Sequence, residues 1–130
     1  MSSKCPSESD ETAHLRALWL AIDTITARFG FSEPEILSLL GSSLSSTALH
    51  EGLKTQNVPV KPAVKDRVSA LLGIDQALQA IFSSPTQAAS WIDRSNELPP
   101  FSGKTPRQLM LKGDFETLLS IRRFLDYWTT

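Results

Sequence analysis

The fold class is decided by residues 32–53, which read SEPEILSLLGSSLSSTALHEGL. Ser32 and Glu35 form a capping box with a proline in the first helical turn, and an apolar run follows until Gly41 stops it. After a turn at 42–44, apolar residues again fall at helical spacing. These signals predict two short helices joined by a glycine turn, which is the outline of a helix-turn-helix.

The segments on both sides carry helical signals as well. Upstream, apolar residues spaced by three and four predict one long helix, with Ser9 as its cap and Gly30 at its end. Downstream, we expect a helix from Pro62 to end at Gly73 and the next one to start at Asp75. Further helices are predicted over 85–92, 106–111 and 114–128, with irregular segments at 54–61 and 95–104. No useful stretch alternates apolar and polar residues, so the fold class is all-α.

The pattern divides the chain into three parts. Residues 1–8 are rich in serine and have no apolar period, so we expect a disordered tail. Residues 9–74 hold the N-terminal helix and the helix-turn-helix-like pair, and 75–130 form a second, smaller helical domain. A chain of 130 residues fits one compact unit or two very small ones, which excludes a many-domain enzyme.

Composition excludes several protein classes. The 13 basic and 14 acidic residues give a net charge of -1, so the chain does not attract nucleic acid through its mean field. The longest apolar run is 17–22, too short to cross a membrane, and no signal peptide opens the chain. Cys5 is the single cysteine, so no internal disulfide can form. We expect a cytoplasmic protein with no membrane partner.

The residues that side-chain catalysis needs are scarce. The two histidines, His14 and His50, lie in different predicted helices, and no zinc-binding or serine-hydrolase motif occurs. Gly103-Lys104-Thr105 ends like a phosphate-binding loop, but Leu98 stands where that loop needs its first glycine. We therefore expect no enzyme, no catalytic residue, no metal site and no cofactor.

The predicted helix-turn-helix offers a candidate DNA-binding face. Its second helix would present polar residues to the major groove, and basic residues after it would contact phosphate. The candidate groove residues are Ser45, Ser46, Thr47, His50 and Lys54, and the candidate phosphate contacts are Lys61, Lys65 and Arg67. The second helix contains no arginine to contact base edges. The alternative is therefore that the basic residues after it are ordinary solvated charges.

The last predicted helix carries more aromatic surface than one buried stripe needs. Leu118, Ile121 and Leu125 fit a core face, whereas Phe124, Tyr127 and Trp128 fall partly outside it, with Arg122 and Arg123 among them. Aromatic residues combined with arginine are typical of protein-binding hot spots. A core helix packed under Trp91 and a partner-binding helix both remain open on this pattern.

Several motifs in residues 75–130 occur in an order that resembles a known domain. They are Ala88-Ala89-Ser90-Trp91-Ile92, Phe101 to Met110 with its Gly-Lys-Thr-Pro turn, Gly113-Asp114-Phe115, and Ile121 to Trp128. This order resembles the toxin-binding domain of the Xre/MbcA/ParS antitoxins. Residues 31–74 are more loosely similar to the Xre-type helix-turn-helix that precedes this domain in the family.

The resemblance implies an antitoxin of a type II toxin-antitoxin pair. Family partners are RES-domain toxins, which consume NAD or transfer its ADP-ribose, and the antitoxin covers the active site of the toxin. Family members also dimerise and repress their own operon. The resemblance therefore implies a homodimer or a larger complex with the toxin, and operator DNA as a further partner. A DNA-binding regulator of Xre type without a toxin is the alternative.

The resemblance also assigns roles to residues of this sequence. The resemblance assigns structural roles to Trp91, Gly103, Thr105, Pro106 and Gly113. The resemblance assigns toxin contacts to Arg107, Arg122, Arg123, Phe124, Asp126, Tyr127 and Trp128.

Overall fold

A computed structural model describes residues 8–112 and 114–129, and within these residues all regular secondary structure is helical. The helices are α1 Glu8–Phe29, α2 Glu33–Leu40, α3 Ser46–Thr55, α4 Pro62–Ile81, α5 Pro85–Ser90, α6 Pro106–Met110 and α7 Phe115–Thr129, with a 3₁₀ turn at Trp91–Asp93. The predicted all-α class is therefore confirmed. Of the expected tail, Glu8 is already helical, and residues 1–7 lie outside the described residues.

Side-chain caps set most of the helix starts. The Ser32 hydroxyl accepts from the Glu35 amide, and the Glu35 carboxylate accepts from the Ser32 amide, as the capping box predicts. Ser45 caps α3 by accepting from the Ala48 amide at 3.0 Å. Each such cap stabilises its helix by about 1 kcal/mol, because it satisfies a backbone donor that has no partner within the helix.

Two of the predicted helix boundaries are wrong. Helix α1 already includes Glu8, so Ser9 lies inside the helix and is not its cap. The expected break at Gly73 is absent, because α4 runs unbroken from Pro62 to Ile81. Gly73 is buried in its middle beneath a side chain of α7, so it serves close packing rather than helix termination. The division that we expected after residue 74 falls within this helix.

The final helix starts as predicted. Its first turn is held by Asp114, whose carboxylate accepts from the Glu116 amide at 3.0 Å. Leu118, Ile121 and Leu125 are buried, which confirms the predicted core face of α7. The predicted break at Gly113 lies outside the described residues.

One apolar core joins all the helices. Helix α4 is its central element and packs against α1, α2, α5 and α7. The largest fully buried side chains are Trp19, Phe101, Ile22, Ile25, Ile36, Leu39, Leu40, Leu49, Leu71, Ile74, Leu78 and Ile92. These residues come from both halves of the chain, and α7 packs mainly against the central helix α4.

Helix α3 approaches α1 closely at one glycine. Gly52 lies directly against the buried indole of Trp19, so that a Cβ at Gly52 would lie 2.1 Å from Trp19 Cζ2. The indole Nε1 donates to the Val58 carbonyl at 2.9 Å, which holds the segment after α3 against α1. Within the described residues no helix is both long and apolar enough to cross a membrane.

Candidate protein-binding surface

The C-terminal end of α7 exposes two large aromatic side chains. Tyr127 is 77% exposed and Trp128 is 57% exposed. Side chains of this size would bury a large apolar area if a partner covered them. Leu98, in the loop before α6, is 50% exposed, and Ile81 ends α4 with a partly exposed side chain. Exposed apolar residues of this size that lie together mark interaction sites more often than isolated ones do.

A groove of about 290 Å³ lies beside these aromatic residues. It is lined by Ile81, Phe82, Trp91, Asn96, Leu98, Phe124, Leu125 and Trp128. Four of these residues had no role in our expectations: Ile81, Phe82, Asn96 and Leu98. The signal for Leu98 in the sequence is a large apolar residue inside a polar, proline-containing loop, where no core position is expected.

Aromatic rings in contact with one another connect the groove to the core. Phe101 is fully buried and meets the rings of Trp91 and Phe124 edge-on, at centroid distances of 5.6 and 5.0 Å. Phe124 in turn lies 6.2 Å from Trp128. Phe124, which we expected to contact a partner, is half-buried and lines the groove. The platform under the exposed Trp128 is thus built from packed rings, which limits its movement.

The loop before α6 is shaped by backbone hydrogen bonds. The Gly103 amide donates to the Asn96 carbonyl at 2.7 Å, and the Leu98 amide donates to the Asn96 side chain at 2.9 Å. Gly103 has a φ of +90°, a left-handed conformation that favours glycine. Thr105 then caps α6, and Pro106 is buried in its first turn. This geometry turns Phe101 into the core and leaves Leu98 at the rim of the groove.

The two arginines of α7 differ in their surroundings. Arg122 lies across Gly73 of α4, and its Nε is 3.8 Å from a carboxylate oxygen of Asp126. Arg123 is exposed, and its Nη2 is 3.5 Å from the Ser120 hydroxyl. Both arginines lie on the helix that carries Tyr127 and Trp128, and the exposed Asp126 adds a carboxylate to the same helix.

Arg107, which we expected to contact a partner, is instead bound within the molecule. Its guanidinium donates to Asp93 at 2.6 Å, to Glu35 at 3.2 Å and to the Phe29 carbonyl at 2.7 Å. It also lies 5.1 Å from the centre of the Phe31 ring. The hydrogen bond to Asp93 raises the pKa of Arg107. The residue therefore ties α6 to the 3₁₀ turn, to α2 and to the end of α1.

The expected DNA-reading face of α3 lies against a carboxylate of α2. Ser46 donates to Glu33 Oε2 at 2.6 Å, and the His50 ring bonds to the other oxygen of the same carboxylate. The hydrogen bond from Ser46, followed by that from His50, lowers the pKa of Glu33 below its ordinary value. Both residues bond to Glu33 rather than to each other, so this is not the serine-histidine relay of a hydrolase. Thr47 and Lys54 are exposed on the same helix.

The expected phosphate contacts also divide into two groups. Lys61 and Lys65 are exposed near the start of α4. Arg67, by contrast, donates from Nη1 to the Leu39 carbonyl at 3.3 Å and lies over Gly41, where it satisfies the end of α2. A negative group at Glu33 and the internal use of Arg67 both weaken the attraction of this face for DNA.

A second groove, of about 520 Å³, lies between α1 and the segment before α4. Its lining residues are Glu11, His14, Leu15, Leu18, Pro59, Val60 and Lys65. Among the described residues, no group of three or more histidine, cysteine, aspartate or glutamate side chains could hold a metal ion. The lining of the groove thus combines four apolar residues with one acidic, one basic and one histidine side chain.

Comparison with known proteins gives one informative match. The chain is similar to the uncharacterized protein y4oB of Sinorhizobium fredii (strain NBRC 101917 / NGR234), with 29% identity over 120 residues. The alignment covers 92% of this chain and 90% of that protein, so the similarity extends over both halves of the fold. No family model and no solved structure matches the chain.

Proposed function

We propose that this protein is an antitoxin that binds and neutralises a toxin protein through α7 and the neighbouring groove. The observation that carries the proposal is the exposure of Tyr127 and Trp128 beside an apolar groove on a rigid aromatic platform. Burying these residues against a partner removes a large apolar area from water, which is the main favourable contribution to protein association. The partner that the sequence resemblance implies is a RES-domain toxin that consumes NAD.

Inhibition in this proposal needs no chemistry from the antitoxin. The aromatic surface would cover the entrance to the toxin's active site, and Arg123 at its edge would add charge pairing and orientation. The platform formed by Trp91, Phe101 and Phe124 lowers the entropy cost of binding, because the surface is already ordered before the partner arrives.

Co-expression tests the proposal directly. The protein encoded next to this chain is expressed in a bacterial host with and without the chain, while growth and cellular NAD are followed. We expect NAD to fall and growth to stop with the neighbouring protein alone, and both to recover when the chain is present. Toxicity that persists in the presence of the chain would rule out neutralisation, and a harmless neighbour would rule out that protein as the toxin.

Surface variants then locate the contact. Trp128→Ala removes an exposed ring, so we expect an unchanged melting temperature but an affinity for the toxin at least about tenfold weaker. Leu20→Ala is the matched control, since Leu20 is a large exposed apolar residue on α1 that does not line the groove. Equal loss in both variants, or no loss in Trp128→Ala, would contradict the assignment of the surface.

Three exposed lysines support a second candidate function, binding of operator DNA. Lys54 is exposed on α3, and Lys61 and Lys65 are exposed near the start of α4, where phosphate contacts are expected. Titration of the chain's own promoter fragment at several salt concentrations tests this function, because phosphate neutralisation makes the affinity fall steeply with salt. A Lys61→Gln/Lys65→Gln variant should flatten the salt dependence, and an unchanged dependence would exclude these contacts.

A further inference from the structure

Gly73 occupies an unusual position in the middle of α4. It is buried and helical, and the atoms nearest to a Cβ placed on it are Arg122 Nε, Cζ and Cδ, at 2.5, 2.6 and 2.7 Å. Alanine is the better helix former at such a site, so a glycine here weakens the helix unless the space is needed. The space is taken by the outer part of the Arg122 side chain.

The stability of the fold does not explain why this space is kept. The Arg122 side chain is 41% exposed, and its ion pair with Asp126 has a separation of 3.8 Å, a geometry that contributes little stability at a surface. Gly52 provides the contrast, since the space above it is filled by the fully buried ring of Trp19. Gly52 accommodates the core side chain of Trp19, whereas Gly73 accommodates the end of a side chain that reaches solvent.

We propose that Gly73 positions the Arg122 guanidinium to bind a carboxylate of the partner protein, so that Gly73 is a positioning residue of the binding surface. This inference rests on the proposed function. Among the described residues, the structure shows no hydrogen bond from Arg122, and its only ion pair is the long one to Asp126. A guanidinium held in one orientation presents parallel N–H groups that match the two oxygens of a carboxylate. Alanine at position 73 would leave the charge in place but displace the group.

Binding and stability together test the inference. The probe is the purified neighbouring protein from the co-expression experiment, and its affinity is measured by calorimetry for wild type, Gly73→Ala, Arg122→Ala and the double variant. We expect each single variant to bind about tenfold more weakly, as truncation of an interface arginine commonly does. The double variant should bind no more weakly than Arg122→Ala, because Gly73 acts only through Arg122.

The melting temperature separates positioning from a structural role. Gly73→Ala should melt at or above the wild-type temperature, because the flexible Arg122 side chain can move aside and alanine favours the helix. Ser69→Ala, an exposed change one turn earlier in α4, controls for helix propensity and should leave binding unchanged. In the free protein, Gly73→Ala should also shift the NMR signal of the Arg122 Nε–H group.

Three results would overturn the inference. Gly73→Ala could bind as tightly as wild type, its effect could multiply with that of Arg122→Ala, or it could lower the melting temperature by several degrees. A wild-type chain that does not bind the probe would instead overturn the proposed function and this inference with it. The two failures are therefore distinguishable by the wild-type titration.

Discussion

Replacing Gly52 by alanine tests the packing of the N-terminal half most sharply. A Cβ at this position would lie 2.1 Å from Trp19 Cζ2 and 2.3 Å from both Cε2 and Cη2. Non-bonded carbon atoms need about 3.5–4.0 Å, so the indole must move by roughly 1.5 Å or α3 must retreat from α1. Trp19 is fully buried, and the surrounding core offers no space for that movement.

The magnitude follows from three contributions. The alanine itself favours the helix by about 1 kcal/mol relative to glycine. Overpacking a filled core costs about 1–3 kcal/mol. A ring displacement of this size also takes the 2.9 Å bond from Trp19 Nε1 to the Val58 carbonyl out of range, and an unsatisfied buried donor costs about 1–3 kcal/mol. Together they give a net loss of about 1–5 kcal/mol in the free energy of unfolding, with a central value of about 3 kcal/mol.

Thermal unfolding followed by circular dichroism measures this loss. For a chain of 130 residues, the central value corresponds to a melting temperature lower by about 6–12 °C. Gly73→Ala is the matched control, because it makes the same change at a second buried helical glycine whose neighbour can move. A Gly52→Ala variant that melts at or above the wild-type temperature would refute the packing of α3 on Trp19.

Three further predictions concern polar groups that the fold uses. Arg107→Met keeps the alkyl chain but deletes the ion pair to Asp93 and the other polar contacts, so urea unfolding should show a loss of about 2 kcal/mol. The pKa of Glu33 should lie below its ordinary value of 4.5 in a carbon-13 NMR titration. Ser46→Ala should raise this pKa, because it removes the hydrogen bond that lowers it most. The stability that the Glu33 carboxylate contributes is present above pH 4.5 and is lost as the pH falls through the lowered pKa. Arg67→Met removes the bond to the end of α2 and should cost about 1 kcal/mol in the same urea assay, whereas an unchanged stability would show that this bond contributes nothing.

Helix positions could be predicted from the sequence because local signals determine them. Ser32 accepts the backbone hydrogen bond that its predicted capping box requires, and Ser45 and Thr105 cap their helices in the same way. The failure at Gly73 has a physical cause. A glycine inside a helical pattern signals either an end or a close approach, and only the location of the packing partner distinguishes them. That partner, Arg122, lies on a helix almost fifty positions away in the chain.

The roles of polar residues could not be predicted in the same way. Nothing near Arg107 in the sequence indicates that Glu35 and the Phe29 carbonyl will be its partners, because the fold alone brings these groups together. The same holds for the contact of Ser46 and His50 with Glu33. A long-range hydrogen bond leaves no periodic pattern in the sequence, whereas a buried helix face does.

These internal contacts also sharpen the functional proposal. A side chain with several strong intramolecular partners would have to give them up to bind another molecule, and that loss opposes binding. Arg107 and Arg67 fall into this group, whereas Trp128 is more than half exposed and lines a groove. The surface that would gain the most from a protein partner is therefore the end of α7, and Trp128 is the residue at which mutagenesis should begin.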